Sequence, residues 1–142
     1  MVRITDETVR RIRAHGEQTY PDECCGMMLG GEHEGTQSIR EIVEIDNSQG
    51  DNRRRRFLIS PAQYRQAERH AAERGMELLG FYHSHPDHPA VPSTFDTEHA
   101  LPWFTYVIVS VTAGKADTIT AWLLSEDRTR FESRELIVEP AA

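Results

Sequence analysis

The feature that most restricts how this chain can fold is an apolar segment that runs directly into a pair of histidines. Glu77 to Tyr82 reads as a strand, and it is followed at once by His83-Ser84-His85-Pro86. A proline-rich loop, Pro86 to Pro92, comes next. Ser93 to Ala100 then reads as a short helix capped by Ser93, with Asp96 three residues on. Side chains two apart at a strand end project the same way, so His83 and His85 can pinch one ion. The loop and helical turn can return Asp96 to that ion. The chain must therefore fold so that a strand end and a helix start converge. Two imidazoles and a carboxylate are a typical ligand set for catalytic zinc, which leaves a fourth position for water. Water on such an ion has its pKa lowered to about 7.

The rest of the chain supplies a scaffold. Thr5 reads as an N-cap with Asp6 and Glu7 in the first turn, Val9 and Ile12 at helical spacing, and an end near Gly16. Tyr20-Pro21-Asp22 reads as a turn. Cys24 to Gly30 is short, apolar and uncharged, the signature of a buried strand that Gly30-Gly31 would end. Ser38 to Ile45 is a second strand, and Asp46 to Arg56 a polar loop. Ser60-Pro61-Ala62-Gln63 starts a helix with a cap, a first-position proline and a capping box. Tyr64, Ala67 and Ala71 share its inner face, and Gly75 closes it. Tyr106 to Val111, Thr118 to Leu124 and Phe131 to Val138 read as further strands, with a turn at Gly114 and a frayed tail from about residue 139. Helix, strands, helix, strand, metal loop and strands imply an α/β fold, a mixed β-sheet flanked by helices, over one domain spanning 1–142.

Composition narrows the function. At 142 residues the chain can bury a core without disulfides. A net charge of −7 argues against general nucleic-acid binding. No apolar run reaches the roughly 20 residues that span a bilayer, and acids follow the first residues directly, unlike a secretory signal. The only cysteines, Cys24 and Cys25, are adjacent. Neighbouring Cα atoms lie about 3.8 Å apart, too close for an ordinary bridge. Two thiols without a disulfide framework point to the cytoplasm.

A hydrolytic site also needs a group that accepts and relays a proton. Glu23, at the entrance of the Cys24 strand, is the candidate, and Ser93 could donate its hydroxyl to an oxyanion. Taken together, Glu23, His83, His85-Pro86, Ser93 and Asp96, with seven residues from Pro86 to Pro92, resemble the signature of the JAMM family, also called MPN-plus. Asp22 to Gly30 and Gly80-Phe81-Tyr82-His83-Ser84-His85-Pro86 resemble its short bacterial members, and the resemblance spans nearly the whole chain. It implies a cytidine-deaminase-like MPN fold and zinc-dependent hydrolysis of a peptide or isopeptide bond. The scissile bond expected is at the C-terminal tail of a ubiquitin-like or sulfur-carrier protein, or in a peptide substrate. It further implies one Zn²⁺ per chain on His83, His85 and Asp96, with Glu23 as general acid/base and Ser93 supporting the oxyanion. A non-catalytic zinc-containing module that binds a ubiquitin-like partner is the alternative.

Other readings carry less weight. His83-Ser84-His85-Pro86-Asp87-His88 also spells the two-metal motif of the metallo-β-lactamase superfamily, but the last histidine is His99, so further ligands are missing. Asp87 and His88 then read as solvent-facing. Glu23 alone would be a turn residue, and Ser93 alone a cap. Cys24 and Cys25 read as buried packing. Arg53 to Arg56 reads as a solvated stretch that could meet an acidic or C-terminal part of a carrier protein. His15, His33, His70 and His99 are expected at the surface, and Trp103 and Trp122 in packing roles.

Overall fold

A computed structural model describes residues 1–45 and 61–140. The elements are β1 (Val2–Thr5), α1 (Asp6–Thr19), β2 (Cys25–His33), β3 (Thr36–Ile45), α2 (Pro61–Glu73), β4 (Glu77–Pro86), α3 (Thr94–His99), β5 (Thr105–Thr112), β6 (Lys115–Leu124), β7 (Phe131–Arg134) and β8 (Leu136–Glu139). The strands form one sheet in the order β7-β6-β5-β4-β2-β3-β1-β8. It is mixed: β4 runs parallel to β5, and β1 parallel to both β3 and β8, while the other neighbours are antiparallel.

Alternation along the strands divides the core between the two faces. Val9 and Ile12 of α1 pack with Met28, Tyr82, Val107 and Val109 on one face. Ala67 of α2 packs with Met27, Phe81 and Tyr106 on the other, where partly buried Tyr64 and Phe104 join them. β4 changes phase through an irregularity in its pairing with β2, where Met28 lies opposite Gly80 but Leu29 opposite Leu78. Leu79 is the extra residue and drops into the α1 face. Beyond it, Phe81, His83 and His85 share the α2 face, while Tyr82 and Ser84 turn to α1.

Two glycines let β4 sit where it does. A Cβ on Gly80 would lie 1.8 Å from the Thr105 carbonyl oxygen, so only glycine permits this approach to β5. A Cβ on Gly26 would fall within 2.3–2.4 Å of the Tyr82 ring, which lies across that position. The Tyr82 hydroxyl reaches His15 Nδ1 of α1 at 2.8 Å. The residue immediately before His83 is thereby anchored to the opposite layer.

Thr5 caps α1 as expected, its side chain accepting the Thr8 N–H at 3.2 Å. Several expectations need correction. α1 does not stop near Gly16 but continues to Thr19. Gly16 is a contact glycine, where a Cβ would meet Val111 Cγ2 at 2.9 Å. Gly30-Gly31 does not end β2 either, which runs on to His33. Gly30 marks a shift of register against β3, and a Cβ there would lie 1.9 Å from the Ser38 carbonyl oxygen. β1 was not expected, being too short for periodicity to register. The run from Phe131 to Val138 is two strands at opposite edges of the sheet: β7 joins β6, and β8 joins β1. The break falls at Glu135, whose carbonyl accepts the Val2 N–H at 2.9 Å. Glu139, expected to fray, ends β8 in register with Thr5.

His15 is buried rather than at the surface, and His70 is half-buried. Trp103 is 71% exposed and packs little, whereas Trp122 is half-buried. Both cysteines are buried and unbridged, and burial pushes the Cys24 thiol up to about 12. The Asp46 to Arg56 loop, its Arg53 to Arg56 stretch and the Ser60 cap lie outside the described residues, as do the His99 side chain and residues 141–142. No helix among the described residues is long and apolar enough to cross a membrane.

Candidate metal centre

β4 carries His83 and His85 on one face because a single residue separates them. That residue, Ser84, staples the neighbouring strand from the other side. Its Oγ accepts the Cys24 N–H at 2.8 Å, and its own N–H donates to the Cys24 carbonyl at 3.1 Å. The β2–β4 register pairs Cys25 with His83. Continued two residues, it sets Glu23 opposite His85 and on the same face as both histidines. Glu23 is 3% exposed. A carboxylate predicted from sequence alone thus stands two residues before β2, on the side of the two imidazoles, and Ser84, which sequence reasoning passed over, holds that strand end in place. The only hint was its position between two histidines.

Asp96 arrives from the other direction. Ser93 caps α3, accepting the Asp96 N–H at 3.1 Å, and its own N–H donates to Asp96 Oδ2 at 2.9 Å. This reciprocal capping box fixes the carboxylate, so the cap and the placement of Asp96 are one structure. Ser93 itself is exposed and one hydrogen bond from Asp96.

The three side chains converge. His83 Nε2 lies 3.1 Å from His85 Nε2 and 3.3 Å from Asp96 Oδ2, and His85 Nε2 lies 3.2 Å from the same oxygen. All three residues are buried, and among the described residues they form the group whose ligand atoms gather closely enough to hold a metal ion. Ligand atoms about 2.0–2.1 Å from a tetrahedral ion stand ~3.3–3.4 Å from one another. The observed triangle matches one face of such a tetrahedron.

Proton placement supports the match. His85 Nδ1 lies 2.9 Å from the Pro89 carbonyl oxygen, which can only accept. In the neutral ring the proton is therefore on Nδ1, and Nε2 presents a lone pair. That lone pair faces an Asp96 carboxylate oxygen, and the Nε2 of His83 can donate to only one of the two. Acceptors gathered this way repel unless a cation stands among them, so the residues present fit a divalent metal.

Electrostatics agree in direction. Burial pushes the Asp96 carboxyl up, but the adjacent His83, its hydrogen bond to the carboxylate and the Ser93 N–H outweigh it and hold it well below the usual carboxylate range. Burial lowers His83 against the upward pull of Asp96, and His85 adds to the lowering. Both groups bind protons less readily folded than unfolded. Stability of the metal-free protein is therefore expected to rise with pH through their titrations. As pH falls it should decline from below the ordinary histidine value of 6.5, and further below the ordinary carboxylate value of 3.8. Denaturant unfolding at a series of pH values in chelator checks this; a stability that is flat between pH 7 and 5 would contradict it.

Asp87 and His88 are exposed, as expected. Asp87 nevertheless braces the loop, since its carboxylate accepts the Tyr20 hydroxyl at 2.6 Å and the Ala113 N–H at 2.9 Å. The two-metal reading gains no ligand from it.

The chain is similar to several known proteins. Over 117 residues the chain is 26% identical to the desampylase of Pyrococcus furiosus, covering 82% of this chain and 76% of the relative. It is 29% identical over 118 residues to a probable TtuB-protein conjugate cleaving protease of Thermus thermophilus, covering 83% of this chain and 72% of that one. A solution structure from Salinibacter ruber is 41% identical with a TM-score of 0.75, covering 97% of this chain and 91% of that one. A JAB1/MPN domain protein from Archaeoglobus fulgidus, 18% identical, shares the fold at a TM-score of 0.64 over 96% of this chain and 98% of its own. Residues 5–125 match the family described as prokaryotic homologs of the JAB domain, and the chain belongs to that family.

Proposed function

We propose that the protein is a zinc-dependent metallopeptidase that hydrolyses a peptide or isopeptide bond at the C-terminal tail of a ubiquitin-like or sulfur-carrier protein. The observation that carries this reading is the triangle of His83 Nε2, His85 Nε2 and Asp96 Oδ2, with edges of 3.1–3.3 Å. The names of the desampylase and the TtuB-conjugate cleaving protease support a protein conjugate as substrate. One zinc per chain would be held by His83, His85 and Asp96. When bound, it supplies Lewis acidity and water with a pKa near 7.

The chain's own residues do the rest. Glu23, buried just ahead of β2, takes the proton of the attacking water and delivers it to the leaving nitrogen. The Ser93 hydroxyl, at the mouth of the site, donates to the oxygen that gains negative charge. Asp96, held by the Ser93 N–H, keeps its charge against burial and draws the two imidazoles together. We further assign the chain to a single domain acting in the cytoplasm, a placement that rests on its two buried, unbridged thiols.

The test is incubation with Gly-Gly-tailed carrier proteins and their conjugates, followed by mass analysis. Cleavage directly after the carrier tail is expected, lost on adding a chelator and restored by zinc. Tight binding of a carrier without cleavage, in protein that holds zinc, would replace this reading with that of a binding module.

A further inference from the structure

We propose that Thr120 and Ser110, on β6 and β5, are positioning residues for His85, acting through the loop that follows β4. The inference rests on the metal reading above. The loop's Pro89 carbonyl holds the Nδ1 proton of His85 and so decides that Nε2 is the nitrogen turned toward His83 and Asp96.

Apolar packing does not fix this loop. Asp87, His88, Pro89 and Val91 are exposed, and only Ala90 is buried. Between the loop and the sheet lies an open groove of about 490 Å³, lined on the sheet side by Ser110, Thr118, Thr120 and Trp122. Polar ties to the sheet take the place of packing. The Asp87 N–H donates to the Val111 carbonyl at 2.8 Å. Ser110 Oγ donates to the His88 carbonyl at 2.6 Å, and Thr120 Oγ1 to the Ala90 carbonyl at 2.7 Å. The Ala90 carbonyl can only accept, and the neighbour of Thr120 leaves its hydroxyl proton free for that bond. Trp122 Nε1–H donates to Thr120 Oγ1 at 2.8 Å, so the hydroxyl proton must point elsewhere. The Ala90 carbonyl is the near acceptor, since the Ile108 carbonyl stands at 3.5 Å. Carbonyls 88 and 90 are thus pulled onto the sheet by side chains, and carbonyl 89 between them faces the His85 ring.

Neither hydroxyl belongs to the sequence signature, and each donates to a loop carbonyl, while Ser110 also stands beside His85 in the β4–β5 register. Their effect is on which nitrogen of His85 carries its proton and on how firmly the ring is held. Outer partners of metal-bound histidines change metal affinity by about 10–100-fold when removed.

The experiment measures zinc affinity of the full chain by competition with a chromophoric chelator. The proteins are wild type, Ser110→Ala, Thr120→Val, the double variant, and Thr120→Ser as the hydroxyl-retaining control. Affinity should fall about 10-fold in each hydroxyl-less single variant, further in the double variant, and stay within about 2-fold of wild type in Thr120→Ser. In parallel, ¹⁵N NMR of the metal-free wild type should find His85 protonated on Nδ1, a measurement that needs no variant to fold. Variants that lose thermal stability yet bind zinc as tightly as wild type would overturn the proposal, as would His85 protonated on Nε2. A wild type that binds no zinc would overturn the metal reading itself, so the two failures are distinguishable.

Discussion

Replacing Glu23 with glutamine is expected to leave the fold and the bound zinc in place and to lower turnover by roughly 10²–10⁴-fold, the range general acid–base catalysis contributes. The substitution preserves volume and most hydrogen-bonding capacity at a position that is 3% exposed. It does not disturb the two hydrogen bonds between Cys24 and Ser84 that fix this strand end. Nor does it alter the triangle of His83, His85 and Asp96, because Glu23 is not among the converging ligand atoms. What it removes is the ability to take a proton and return it. The loss should therefore appear in kcat with KM little changed. The check is single-substrate kinetics on protein with verified zinc content. Cleavage within a few-fold of wild type would remove Glu23 from the mechanism.

The second large effect is expected at Asp96. Asp96→Asn should weaken zinc binding by roughly 10²–10³-fold, taking one ligand's share of the ~10–16 kcal/mol typical of a four-ligand zinc site. Activity at limiting zinc should fall with it. The carboxylate accepts the Ser93 N–H at 2.9 Å, and an amide oxygen can do the same, so the cap of α3 should survive. The amide lacks the charge that balances a dication and draws in both imidazoles. Calorimetric zinc titration of wild type and variant separates the two contributions. An Asn variant that binds zinc like wild type would show that Asp96 serves the cap and not the metal.

Much of the site was legible in the sequence because its logic is local. The spacing of His83 and His85 dictates a shared face on any strand, and Ser93 to Asp96 encodes a capping box on any helix. What brings these two local units together is tertiary, and the sequence marks it only faintly. The histidines needed the phase change at Leu79 to face α2, and an irregular pairing of that kind leaves no periodic signal. Gly16, Gly26 and Gly30 look like punctuation yet allow close packing within or against the sheet, because a missing Cβ serves both purposes. His15 reads as a surface residue until Tyr82 is known to pass beneath Gly26 and meet it. The split of Phe131 to Val138 between opposite sheet edges was invisible, since β-propensity says nothing about which strand is the partner. The supports of the 87–91 loop, Ser110 and Thr120, lie on strands where nothing in the sequence singles out either hydroxyl.

The central claim is that His83, His85 and Asp96 hold one zinc ion. Elemental mass spectrometry of the full chain, loaded with zinc and then dialysed into metal-free buffer, tests it most directly. One zinc per chain is predicted for wild type, with content near background for a His83→Ala/His85→Ala variant that remains folded by circular dichroism. Wild-type protein that retains no zinc above background, or a double variant that retains as much as wild type, would contradict the account.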